Sequence, residues 1–276
     1  GYKRREIERV AILSPVSNAR SPAKAAAETG DEPGMIAALY GKTVAVARRR
    51  YEAGRALLER GSWDVFLLDD GYQHRRLERD LDLLVLGADC RGWVLPAGPF
   101  REPRSALRRA HAFLITGAEE YWARRLEAEG RGPSFRASLE AKCLIGWEAG
   151  RLKEAPLARL DRSRIVAVAG IANPDGFFNM IYDWGGDIVA ALRFPDHHAF
   201  GLEDWQRIGR VSRDADLIIT TEKDLLKLAG FPFAKDKLFA LRVAMVVENG
   251  DRLVQTIAHT IGLRAAAGKS VEAEKG

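Results

Sequence analysis

Short apolar runs alternate with amphipathic stretches along this chain, which predicts α/β units around a largely parallel sheet. In the first half, strands are expected at 9–14 ("RVAILS"), 42–47 ("KTVAVA"), 63–70 ("WDVFLLDD"), 81–88 ("LDLLVLGA") and 110–117 ("AHAFLITG"). The run at 63–70 is continuously apolar over 65–68 before its two aspartates, the pattern of a strand buried on both faces. Helices are expected at 50–60, where Ala53, Ala56 and Leu57 share a face, and at 119–129. Two strand-like runs around 149–150 predict a hairpin within 135–157. A second α/β block follows, with strands at 164–170, 186–194, 216–221 and 237–247. Helices are expected at 174–182, 203–213, 223–228 and 252–261. The last stretch, "RAAAGKSVEAEKG", is small and polar and is expected to fray. The resulting partition is 1–134, a hairpin linker at 135–162, 163–264, and a tail at 265–276.

Several turns at predicted strand ends carry chemistry. "VFLLDDGYQH" ends an apolar run in Asp69 and Asp70. Paired acids there resemble a Walker B element holding a Mg²⁺-nucleotide, since open α/β sheets bind ligands beyond the carboxyl ends of their strands. Asp-Gly is equally a common turn. In "TGDEP", Asp31 and Glu32 either place a carboxylate beside a transferring phosphoryl group or begin a helix through Leu39, with Asp31 as its cap. "FPDHHAF" sets Asp196, His197 and His198 after a strand, an arrangement that suits a carboxylate-oriented general base or a metal. "LPAGPFREP" presents Arg101 and Glu102 in a proline-fixed loop, and arginine suits bidentate phosphate recognition. In "ITTEKD", Thr220 or Thr221 can cap a helix whose free N–H groups could meet an anion.

Composition narrows the field only a little. The 276 residues are 47% hydrophobic and 29% charged, enough for one large domain or two modest ones. The net charge of +5 favours anionic partners without choosing among them. No basic–aromatic interleaving points to nucleic acid. The two cysteines, Cys90 and Cys143, have no metal-like spacing and read as thiols of a reducing compartment. No apolar run reaches the ~20 residues of a membrane span, and the polar, basic start is not a secretory signal.

Taken in order, "GDEP", "DDGYQHRRLERDLDL", "VLPAGPFREP", "GIANPDGFF", "FPDHH" and "TTEKD" resemble the tetraacyldisaccharide 4'-kinase family of lipid A biosynthesis, from residue 1 to about 263. The resemblance implies transfer of the ATP γ-phosphate to the 4'-hydroxyl of a tetraacyldisaccharide 1-phosphate, with Mg²⁺. It further implies a P-loop-kinase-like parallel-sheet lobe and a smaller α/β lobe joined by a two-stranded linker. The expected location is the cytoplasmic face of the Gram-negative inner membrane, as a peripheral protein. Carried over by position, Asp31 and His197 match the catalytic pair, with Asp196 or His198 in support. Asp69 and Asp70 match the Walker B acids, and Glu32 and Glu102 join them as metal-ligand candidates. Gly71, Gln73 and His74 match the sugar-phosphate segment, and Arg101 lies in the family's REP turn. The base and the imidazole are expected from different lobes, to be brought together by domain closure.

One element of the family pattern is missing from the sequence. No G-x-x-x-x-G-K-[ST] occurs, and "GKT" at Gly41–Thr43 lacks its first glycine and leads into a strand. The expectation is an N-terminally truncated lobe with little kinase activity of its own. Two alternatives remain at this stage: a non-catalytic module binding phosphoglycolipid or a membrane surface, and a DHH-type metal phosphoesterase.

Overall fold

The computed structural model describes residues 10–14, 29–87, 93–98, 100–117, 120–148, 151–233 and 237–262. Cys90, the hairpin turn at 149–150 and the tail at 265–276 lie outside the described residues. The chain divides into two compact units, each discontinuous in sequence. One is Gly1–Leu67 with Ala141–Ala244, the other Leu68–Glu140 with Met245–Gly276. This differs from the linear partition expected above, because two of the crossings fall inside long strands rather than in loops.

The first unit is organised by β7 (Arg164–Ala169), β8 (Asp187–Arg193), β9 (Leu217–Thr221) and β10 (Leu238–Val247), in the order β10-β9-β7-β8, all parallel. Side chains alternate across a strand, so β7 feeds two cores. Ile165, Ala167 and Ala169 pack with Phe177, Phe178 and Ile181 of α4 (Pro174–Asp183). Val166 and Val168 pack with Ile208 of α5 (Leu202–Val211) and Leu228 of α6 (Glu222–Leu228). Burial on both faces explains why β7 and β9 read as apolar runs.

Helix α1 (Asp31–Leu39) joins this unit through Leu39 and Met35, which pack with Leu225 and Leu226 of α6 and with Ile145. Strand β5 (Ser134–Glu148) turns back antiparallel onto β6 (Arg151–Ala155), with Leu144 opposite Ala155, giving the predicted hairpin. The two N-terminal strands, β1 (Ala11–Leu13) and β2 (Val44–Val46), pair with each other and run antiparallel. Helix α2 (Arg50–Leu58) follows them.

The second unit pairs β3 (Leu83–Leu86), β4 (Ala112–Thr116) and the first part of β5 in parallel. Helix α3 (Glu120–Ala128) places Trp122 and Leu126 against Phe113 and Ile115. Helix α7 (Gly250–Thr260) places Leu253 against Ala112, Leu114 and Phe135. No helix among the described residues is long and apolar enough to cross a membrane.

The stretch at 63–70 departs from expectation. It is irregular, not a strand, and Leu67 is 93% exposed. An interior strand needs neighbours to take its N–H and C=O groups. Here β1 and β2 satisfy each other, and among the described residues no strand pairs with 63–70. Asp69 and Asp70 therefore follow an irregular segment instead of capping a sheet strand.

Candidate active site

Gly30 begins the principal cluster. Its φ of 103° is a conformation that L side chains rarely adopt, and it turns the chain abruptly into α1. Gly30 is thus the N-cap, and Asp31 is the first helical residue instead of the cap expected from sequence. There the carboxylate sits in the favourable field of the helix N-terminus. The packing of α1 on α6 brings this end to the turn after β8. His197 occupies that turn with φ 59°, a left-handed conformation that costs roughly 1–3 kcal/mol. Two contacts hold the turn: His198 N–H donates to the Pro195 carbonyl (3.1 Å), and His197 N–H donates to Asp196 Oδ1 (2.9 Å).

Across this junction His197 Nδ1 lies 3.3 Å from Asp31 Oδ2, joining residues 166 positions apart. His197 Nε2 lies 3.7 Å from Asp196 Oδ2. The expectation that base and imidazole come from separate lobes is corrected, since both belong to the first compact unit. The other histidine of the pair has a different part. His198 Nε2 meets Asp204 Oδ2 at 2.9 Å, and its ring packs with Phe194 and Phe200. Asp204 also accepts the Gly201 N–H at the start of α5. His198 therefore ties the turn to α5.

Sequence reasoning missed the lysines and one carboxylate of α6. Lys227 Nζ is 2.7 Å from Asp31 Oδ2, and Lys223 Nζ is 2.7 Å from Asp196 Oδ1. Burial pulls the Asp196 carboxyl up, but the Lys223 ammonium and neighbouring His197 outweigh it and hold the group below its usual range. Asp224 is fully buried. It accepts from Gly170 N–H (2.7 Å) and the Thr221 hydroxyl (2.9 Å), and it meets Lys227 Nζ at 3.2 Å. Thr221 caps α6, as its sequence position implied. The available signal was the i, i+4 spacing of Lys223 and Lys227, which puts both on one helix face.

The remaining sequence candidates lie in the second unit, apart from Glu32, which is exposed on α1. Asp69 and Asp70 are exposed, and Asp70 has φ 50°. Gly71 is buried, and a Cβ there would meet Leu68 Cβ at 2.9 Å, so the tight turn requires glycine. Gln73 and His74 lie exposed in the next turn, where His74 N–H donates to the Gly71 carbonyl. Arg101 is exposed, whereas Glu102 is engaged: Arg109 donates to both its oxygens at 2.7 and 3.0 Å. Arg109 also lies over the Tyr72 ring, 4.5 Å from its centroid. Among the described residues no group of three or more His, Cys, Asp or Glu side chains could hold a metal ion.

The hydrogen bond from Arg109 lowers the Glu102 carboxyl below its ordinary 4.5, against an opposing pull from burial. A depressed carboxylate contributes stability above its unfolded value and loses it as pH falls through the folded value. The stability gap between wild type and Glu102→Gln is therefore expected to be constant above pH 4.5 and to shrink below it. Urea melts from about pH 3 to 6 would check this. A gap that does not change with pH would remove the ion pair's contribution.

The family model for tetraacyldisaccharide-1-P 4'-kinase matches residues 1–262. A tetraacyldisaccharide 4'-kinase of Geobacter sulfurreducens is 41% identical over 222 residues, covering 78% of this chain and 61% of the relative. Its counterpart in Anaeromyxobacter sp. (strain K) is 40% identical over 234 residues, covering 79% and 61%. The chain thus spans 61% of the length of each of these two curated relatives. The crystal structure of LpxK from Aquifex aeolicus in complex with ATP is 30% identical, with a TM-score of 0.69, over 94% of this chain and 76% of that one.

Proposed function

The chain belongs to the tetraacyldisaccharide-1-P 4'-kinase family, and from that premise we propose that the complete protein phosphorylates the 4'-hydroxyl of a tetraacyldisaccharide 1-phosphate from ATP. The observation that carries the reading is the Asp31–His197 contact, a carboxylate–imidazole pair assembled from distant parts of the sequence. Asp31 holds His197 through Nδ1, which leaves Nε2, 3.7 Å from Asp196 Oδ2, as the nitrogen to receive the hydroxyl proton. In the transfer, the sugar oxygen bonds to the γ-phosphorus as the bond to the bridging oxygen breaks. ADP leaves with that electron pair, and the hydroxyl proton passes to His197, whose positive charge Asp31 offsets. Phosphoryl transfer needs positioning and charge neutralisation more than covalent help.

Asp69 and Asp70 would hold Mg²⁺. The ion takes one or two carboxylates and completes its shell with water and phosphate oxygens, so two adjacent exposed acids fit it. Bound there, it would offset charge on the β- and γ-phosphate oxygens. Arg101, exposed while Arg109 holds Glu102, is assigned to a phosphate. Gly71, Gln73 and His74 are assigned to the sugar-phosphate side. The location we assign is the cytoplasmic face of the inner membrane, where such a lipid substrate is presented.

The phosphoesterase alternative loses its support at His198, which Asp204 and two phenylalanine rings already occupy. The deciding experiment incubates the complete protein with γ-labelled ATP, Mg²⁺ and the disaccharide 1-phosphate in detergent micelles. Label is expected on the 4'-oxygen, located by phosphorus NMR, with ADP formed in equal amount. ATP hydrolysis without labelled lipid would refute the kinase reading.

A further inference from the structure

Helix α6 carries two lysines one turn apart, and each grips one of the carboxylates flanking His197: Lys227 holds Asp31 and Lys223 holds Asp196. We propose that Lys227 is a positioning residue for the Asp31–His197 pair, acting through Asp31 and touching no substrate. The inference rests on the kinase reading above.

Lys227 is itself immobilised. Its ammonium meets Asp31, Asp224 and the His198 carbonyl at 2.7, 3.2 and 3.1 Å. Asp224 is locked in turn by Gly170 N–H and the Thr221 hydroxyl. The lysine's rotamer freedom is thus given up on folding rather than during turnover. The side chain is only 12% exposed, so solvent screens its attraction for Asp31 less than on an open surface. Because Asp31 Oδ2 meets both Lys227 Nζ and His197 Nδ1, the cation fixes the direction from which the imidazole is held. Without it the carboxylate is free to rotate about its χ angles, and the imidazole moves with it. A displacement of about 1 Å at a reacting group costs on the order of 10²-fold in rate.

The test compares kcat and KM of the complete protein as wild type, Lys227→Met, Lys227→Arg, Asp31→Ala and the Lys227→Met/Asp31→Ala double variant. Lys227→Met is expected to lower kcat on the order of 10²-fold while KM for ATP and for lipid moves by less than about threefold. Lys227→Arg should regain much of that loss. The double variant should be no slower than Asp31→Ala alone, since a residue that acts through Asp31 has nothing to add once Asp31 is gone. Losses that multiply in the double variant would overturn the proposal. So would a raised KM for ATP at unchanged kcat, the mark of direct phosphate binding. Loss of turnover in Asp31→Ala with normal turnover in Lys227→Met would sink the inference and leave the kinase reading standing. Normal turnover in Asp31→Ala would sink the pair and the inference together. Should Lys227→Met prove unfolded in a thermal melt, Lys227→Gln replaces it under the same criteria.

Discussion

Replacing Asp31 by alanine is expected to cut kcat for 4'-phosphorylation by about 10²–10⁴-fold, the range for general-base catalysis, which here needs the carboxylate that holds His197. The loss should appear equally in kcat and kcat/KM, because the pair assists only as the hydroxyl oxygen gains its bond to phosphorus. Stability should change little. Lys227 would keep Asp224 and the His198 carbonyl, and the helix would forfeit about 0.3–1 kcal/mol of dipole interaction. His197→Ala should behave alike, and the double variant should be scarcely slower than either single one. Steady-state kinetics with purified substrate decides the matter. Turnover in Asp31→Ala within about tenfold of wild type would leave the carboxylate without its assigned role.

The largest effect on stability is expected at Asp224. Alanine there removes the acceptor of Gly170 N–H and of the Thr221 hydroxyl and takes from Lys227 its fully buried counter-charge, leaving it only Asp31. Breaking a buried, hydrogen-bonded ion pair from one side costs about 3–5 kcal/mol. For a chain of this size that is a fall in melting temperature of roughly 6–20 °C. Asp224→Asn should fall between, since the amide oxygen still accepts from Gly170 but does not neutralise the ammonium. Calorimetric melts of the three proteins test the order. A shift under about 0.5 kcal/mol for Asp224→Ala would mean that solvent reaches this network.

Much of the fold was legible because β7, β9 and the Phe239–Leu241 part of β10 are buried on both faces and therefore read as apolar runs. The helices between them carry apolar residues at helical spacing. The same rule misread 63–70, whose apolar composition is that of an interior strand but which no described strand pairs. Composition reports what a segment can bury, and pairing depends on which neighbours arrive. At the site, "GDEP" and "FPDHH" were visible as unusual turns, and their meeting is reported by His197 and Asp31. The contribution of α6 was not visible. An acidic residue in a helix's first turn looks like a dipole partner, and nothing local marks Asp224 as buried. Nothing local marks Lys223 and Lys227 either, because Asp196 and Asp31, the carboxylates they meet, lie far away in sequence.

The two compact units are interleaved along the chain, each assembled from an early and a late stretch. No single break in the polypeptide separates them, so neither can be exchanged by one recombination event as a self-contained module. The same interleaving bears on synthesis. Asp31 leaves the ribosome long before His197 and Lys227, by roughly 10–40 s at ordinary elongation rates of about 5–20 residues per second. Until then α1 has no α6 to cover Met35 and Leu39. The pair at the heart of the site is thus assembled only when the late part of the first unit has been made.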